Sequence, residues 1–299
     1  MSSAEGAGVL QGAVHKVALN DVELAYRVAG SAPEMIVLLH GWPQTGLCWR
    51  KIVSPLSQRY TVIVPDLRGY GASGVTRTGY DKRATAGDLG ELVDYLDRSA
   101  VVVVGHDRGA RVAHRWALDR PSQVRSLALL DVLPTRVVMN SFNRTSAASM
   151  WHWFFHLQSE LPELLVAANV EAYLRYFMRR VLESGDIDEA TFRHYVAAFS
   201  DPDHLHASFE DYRAGFTTDL ELDEADHAGG VRLQCPLLLL WGASGALATA
   251  DVLAVWREHH ASPAAVSGRP VPGGHYVPEE SPAALLEALD VFLTRHPAE

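Results

Sequence analysis

The stretch VVVVGHDRGAR, residues 101–111, sets four β-branched residues directly before a glycine, an aspartate flanked by basic residues and a second glycine. Four valines are too few to span a membrane and too stiff at χ1 for a comfortable helix, so they predict a strand buried in a parallel sheet. Gly105 to Gly109 then follow G-x-D-x-G. This is the strand-turn-helix elbow G-x-S-x-G with a carboxylate in the serine position. Its glycines let the chain turn tightly and lift the central side chain, Asp107, above the sheet.

Similar apolar runs recur on both sides, separated by helical patterns: VELAYRVAG, MIVLLH, TVIVPD, SLALLD, PLLLLWG and AAVSGRPV. The alternation predicts an α/β fold, a mostly parallel sheet with helices on both faces. Between about Pro134 and Gly229 the pattern changes to aromatic-rich helical stretches such as MWHWFFHL and VEAYLRYFMRRVL, without a buried strand. The expectation is a helical cap, residues 135–228, inserted into a core made of residues 1–134 and 229–299. It would lie over the strand ends, where open α/β sheets bind ligands. A last helix should start with Ser281 as N-cap and Pro282 at its first position, burying Leu285, Leu286, Leu289, Phe292 and Leu293.

Composition narrows the function. The chain has 299 residues, 48% of them hydrophobic, enough for one large core, or a core plus one inserted unit. A formal net charge of -10 disfavours nucleic acid or an anionic membrane as partner, so an anionic ligand needs specific cations. Cys48 and Cys235 have no metal-site spacing and imply neither a disulfide framework nor a structural zinc. The start, MSSAEGAGVLQGA, carries no basic segment followed by an apolar core, and the expected location is the cytoplasm. GYGASG, residues 69–74, satisfies G-x-G-x-x-G but opens no helix, which removes the phosphate-binding helix end.

An aspartate on an elbow can attack an electrophilic carbon and form an ester, which a general base must then help water to cleave. His275, in the glycine-rich loop PVPGGHYVPEE after the last strand, is the expected base. Asp131, ending SLALLD, is the expected acid that orients it, because residues 242–247 offer no carboxylate after the following strand. The order nucleophile, acid, histidine is that of α/β-hydrolases. His40, Gly41 and Trp42, at the start of HGWPQT, with the N–H of Arg108, form the expected oxyanion-hole region. His106 and the ring of His40 are placed beside or beneath the elbow.

HGWPQT, DLRGYGAS, GHDRGAR, LLDVLPT, EDYRAG and PGGHYVPEE together resemble the haloacetate dehalogenases of the α/β-hydrolase superfamily, fluoroacetate dehalogenases in particular. The resemblance spans nearly the whole chain, with GHDRGAR and EDYRAG its most specific parts. It implies conversion of haloacetate to glycolate and halide, with no metal or organic cofactor, and a homodimer. It also implies a halide pocket of His152, Trp153 and Tyr212, with Trp151 an adjacent competitor. Arg108 and Arg111 are three apart on the helix leaving the elbow, so they can face Asp107 together and clamp a substrate carboxylate. Two other readings share the scaffold: an epoxide hydrolase with the same nucleophile and a cap tyrosine as acid, and a noncatalytic binder of small acids.

Overall fold

The computed structural model describes residues 13–297, so the N-terminal stretch read for a leader lies outside the described residues except for Ala13. An eight-stranded sheet runs in the order β1 (His15–Ala18), β2 (Glu23–Ala29), β4 (Thr61–Pro65), β3 (Met35–Leu39), β5 (Val101–His106), β6 (Val124–Leu130), β7 (Leu237–Gly242), β8 (Val266–Val271). β1 pairs with β2, and β2 with β4, antiparallel. All other pairings are parallel, as the expected α/β-hydrolase architecture requires. β1 was not anticipated: four residues, only Val17 of them buried, give too weak an alternation to recognise.

Alternation within the central strands explains why helices cover both faces. Val101 and Val103 join one core cluster with Val37, Leu39, Leu127, Leu129, Leu237 and Leu239. Val102 and Val104 join the other with Ile36, Leu38, Leu130, Leu238 and Leu240. A strand apolar on both sides is stable only when both are covered, each such side chain contributing about 1.5–3 kcal/mol. Helices Lys82–Tyr95 and Arg108–Asp119 supply Leu89, Leu92, Val112 and Trp116 to the first cluster. Helices Arg50–Ser57 and Pro282–Arg295 supply Ile52, Val53, Leu285 and Leu289 to the second.

Between β6 and β7 the described chain makes eight helices, from Thr135–Asn140 to Thr218–Ala228, and no strand. Among the described residues no helix is long and apolar enough to cross a membrane.

The last helix departs from expectation in two details. Ser281 occupies the N-cap position but does not cap with its side chain; its hydroxyl donates to the Pro272 carbonyl and fastens the loop that carries His275. Leu286 is only half-buried, and the smaller Ala288 takes a buried position instead.

Parallel pairing brings the strand ends together. Leu39 lies opposite Gly105, His106 opposite Leu130, Leu130 opposite Leu240, and Gly242 opposite Val271. The segments after β3, β5, β6 and β8, which carry HGWPQT, Asp107, Asp131 and His275, therefore open on one edge of the sheet.

Candidate active site

Asp107 sits at φ 50°, ψ -114°, a left-handed conformation that L-residues rarely hold. The neighbouring glycines make it attainable. A Cβ on Gly109 would stand 2.3 Å from the His40 carbonyl oxygen, one on Gly105 2.6 Å from Ala110 Cα, and one on Gly41 2.5 Å from Asp107 Cβ. A side chain at Gly41 or Gly109 would push the elbow away from the end of β3 and its loop, and one at Gly105 would push β5 away from the helix that leaves the elbow.

So placed, Asp107 presents two different oxygens. Oδ1 accepts the Trp42 backbone N–H at 3.0 Å, whereas Oδ2 faces His275 Nε2 at 3.6 Å. The N–H of Arg108, expected as a second donor, makes no hydrogen bond to this carboxylate among the described residues. Burial works against ionisation of Asp107, but the charges of His275 and Arg108 and the Trp42 N–H hold its carboxyl below the usual range.

His275 Nδ1 donates to Asp131 Oδ2 at 2.7 Å, and Asp131 Oδ1 accepts the Gly242 N–H at 3.0 Å. This fixes the ring with Nε2 toward Asp107. Burial pulls the imidazole down, but the hydrogen bond and charge of Asp131, with the charge of Asp107, outweigh it and raise its pKa to about 9. His106 Nε2 donates to the His275 carbonyl at 2.8 Å. Glu280 accepts the N–H groups of Gly274 and Tyr276 at 2.7 and 2.9 Å, bracketing the histidine. Sequence reading missed both supports, because neither spacing nor residue type announces which backbone group a side chain will reach.

His40 gives the Asp107 carboxylate no hydrogen bond among the described residues. Its Nδ1 donates to the Gly41 carbonyl and its Nε2 accepts the Leu67 N–H, at 3.1 and 3.0 Å, so the ring sits as a buried strut beneath the loop.

The two arginines take different environments. Arg108 is 1% exposed; its Nε donates to Asp211 Oδ1 at 2.8 Å, and its Nη2 bonds the same oxygen and the Asp211 carbonyl. Asp211 also pairs with Lys82 and accepts the Tyr70 hydroxyl at 2.9 Å, while Lys82 reaches Asp219 at 3.2 Å. Asp211 comes from helix Pro202–Phe216, and these cations hold its carboxyl far below the usual range despite burial. Arg108 is thereby committed beneath the cavity instead of lining it.

Arg111 lines the cavity. Its Nη1 donates to Thr135 Oγ1 at 2.8 Å, its Nε is buried without a partner, and it has no salt bridge among the described residues. Burial and the repulsion of Arg108 lower its pKa to about 10.

The cavity spans about 280 Å3 above Asp107, and His152, Trp153 and Tyr212 all line it. Trp151, the alternative to Trp153, is 37% exposed and does not. Burial lowers the His152 pKa to about 4, so the ring is neutral, and its Nδ1 has no partner among the described residues. The indole Nε1 of Trp42, whose ring stacks on His152 at 5.8 Å, is also buried without a partner among the described residues. Sequence reading placed Trp42 only as backbone.

Comparison with known proteins gives a consistent frame. The model of the alpha/beta hydrolase fold family matches residues 34–282. A fluoroacetate dehalogenase from Burkholderia sp. is 36% identical, over 93% of this chain and 92% of that protein. A soluble epoxide hydrolase from Corynebacterium sp. strain C12 is 35% identical, over 93% and 96%. A protein of known crystal structure from Nostoc sp PCC 7120 superposes with a TM-score of 0.90 at 40% identity, covering 94% of this chain and 98% of that one.

Removing the Asp211 charge leaves Arg108 and Lys82 facing each other without their shared anion. Asp211→Asn is expected to lower the unfolding free energy by about 3–5 kcal/mol, read as a fall in the urea midpoint at unchanged m-value.

Proposed function

The chain belongs to the alpha/beta hydrolase fold family, and on that premise we propose that this hydrolase converts haloacetate, fluoroacetate or chloroacetate, to glycolate and halide through an ester on Asp107. The observation that carries the reading is Arg111, a buried guanidinium that lines the cavity without a carboxylate partner among the described residues. A buried charge is stable when paired, and a small carboxylate beside Asp107 would supply the missing anion. Against a net charge of -10, this local cation is what makes an anionic substrate reasonable.

In the first step Asp107 Oδ2 attacks the α-carbon and the C–halogen bond breaks, its electron pair leaving with the halide. His152, Trp153 and Tyr212 offer ring N–H, indole N–H and phenol O–H donors to that developing charge. In the second step His275 Nε2 takes a proton from water, which adds to Asp107 Cγ. The oxyanion forms on Oδ1, where the Trp42 N–H already stands 3.0 Å away. One such donor is worth about 3–4 kcal/mol of transition-state stabilisation.

The raised pKa of His275 fits this order. Before attack the imidazole is charged and favours ionised Asp107. Esterification then deletes the carboxylate 3.6 Å from Nε2, which lowers the histidine pKa when a neutral base is required.

The second reading, epoxide hydrolysis, draws on Tyr212 lining the same cavity and on the 35% identical epoxide hydrolase. A phenol there would protonate the opening oxygen. A neutral epoxide, however, leaves Arg111 uncompensated.

Three measurements follow. A panel of fluoroacetate, chloroacetate and styrene oxide should yield halide from the acids and little diol; diol formation without halide release would transfer the assignment to epoxides. His275→Asn should accumulate a covalent Asp107 adduct with chloroacetate by mass spectrometry, and normal turnover of that variant would remove His275 as base. In rapid-quench experiments adduct breakdown should rise with pH to a plateau whose midpoint lies below about 9. Adduct formation should stay flat between about pH 5 and 8, because Asp107 is already ionised there.

A further inference from the structure

The cavity is larger than haloacetate needs. At about 30 Å3 per water in the liquid, its 280 Å3 corresponds to about nine waters. A haloacetate has five heavy atoms, and even one water volume for each leaves room for about four more.

The walls say what belongs in that remainder. Beyond the groups used by the proposed reaction, the polar lining adds Ser149 and Tyr276, whereas Val132, Leu133, Val138, Met150, Phe177 and Leu247 are apolar and line the same space. Water in such a lobe finds few hydrogen-bond partners, and hydrocarbon fills it better. Val138 comes from the short helix Thr135–Asn140, three residues after the Thr135 that holds Arg111, so apolar wall and carboxylate site are adjacent.

Resting on the proposed dehalogenation, we infer that the site is built for a small carboxylate bearing an apolar chain of up to about four carbons on its α-carbon, that is, a 2-haloalkanoate, of which haloacetate is the smallest member. The chemistry balances as before. Asp107 Oδ2 bonds to the α-carbon as halide leaves with the electron pair. Water adds to Cγ and gives a proton to His275, and the bond from Cγ to the alkyl oxygen then breaks. The departing oxygen takes the proton from His275, and the proton left on Asp107 passes to solvent. The α-carbon is attacked once, so (S)-2-chlorohexanoate gives (R)-2-hydroxyhexanoate.

The test separates ligand class from reaction. Dissociation constants of acetate, butanoate and hexanoate should tighten by about fourfold per methylene, the value expected for burial of each group. Halide release from 2-chlorobutanoate and 2-chlorohexanoate should show a lower KM than chloroacetate, with inverted 2-hydroxyacid as product. Val138→Trp, which fills the lobe, should erase the advantage of hexanoate over acetate. Affinities that stay flat or fall along the series in the unaltered protein overturn the inference, while chloroacetate turnover would still uphold the dehalogenase reading. Tightening affinities without halide release from any member uphold the ligand class and overturn the reaction.

Discussion

One backbone constraint organises the site: the aspartate at the top of β5 is held at positive φ by three glycines that leave no space for a Cβ. Such a conformation costs about 1–3 kcal/mol and persists because the surroundings over-determine it. Here those surroundings are the two-sided core around β5 and the loop after β3 pressed against the elbow. The result is a carboxylate whose two oxygens meet different environments. One rests on a backbone N–H and the other faces an imidazole, the asymmetry that nucleophilic attack followed by ester hydrolysis requires.

Electrostatic commitments complete the arrangement. Asp211 binds Arg108 and Lys82 below the cavity, so these cations stabilise the contact between the sheet edge and helix Pro202–Phe216. Arg111, one turn along from Arg108, has no such acid among the described residues and keeps its charge toward the cavity. A second buried acid, Glu279, gathers Arg50 and the Tyr195 hydroxyl, tying the helix after His275 to helix Glu189–Phe199. The helices over the sheet are therefore joined to the site through buried charge as well as through aromatic packing.

Much of this was legible in the residues. The two-sided strand, the G-x-D-x-G elbow, and the order Asp107, Asp131, His275 are local patterns, and the pairing of parallel strands carries them to one edge. The division of labour between the arginines was not legible. Equal spacing on one helix made Arg108 and Arg111 look equivalent, and only Asp211, 103 residues from Arg108, distinguishes them. The hydroxyl of Ser281 likewise met a carbonyl that was not in its own helix.

Sequence by itself determined the alternation of strands and helices, the turn that exposes Asp107 and the chain order of the groups that can act on it. These depend on periodicity, glycine placement and residue type within a few positions. Tertiary structure alone decided which guanidinium lines the cavity, which donors are left without partners, and how much apolar space remains beside them. Those properties are set by hydrogen bonds and burial between segments far apart in the chain, and their directions have no local signature.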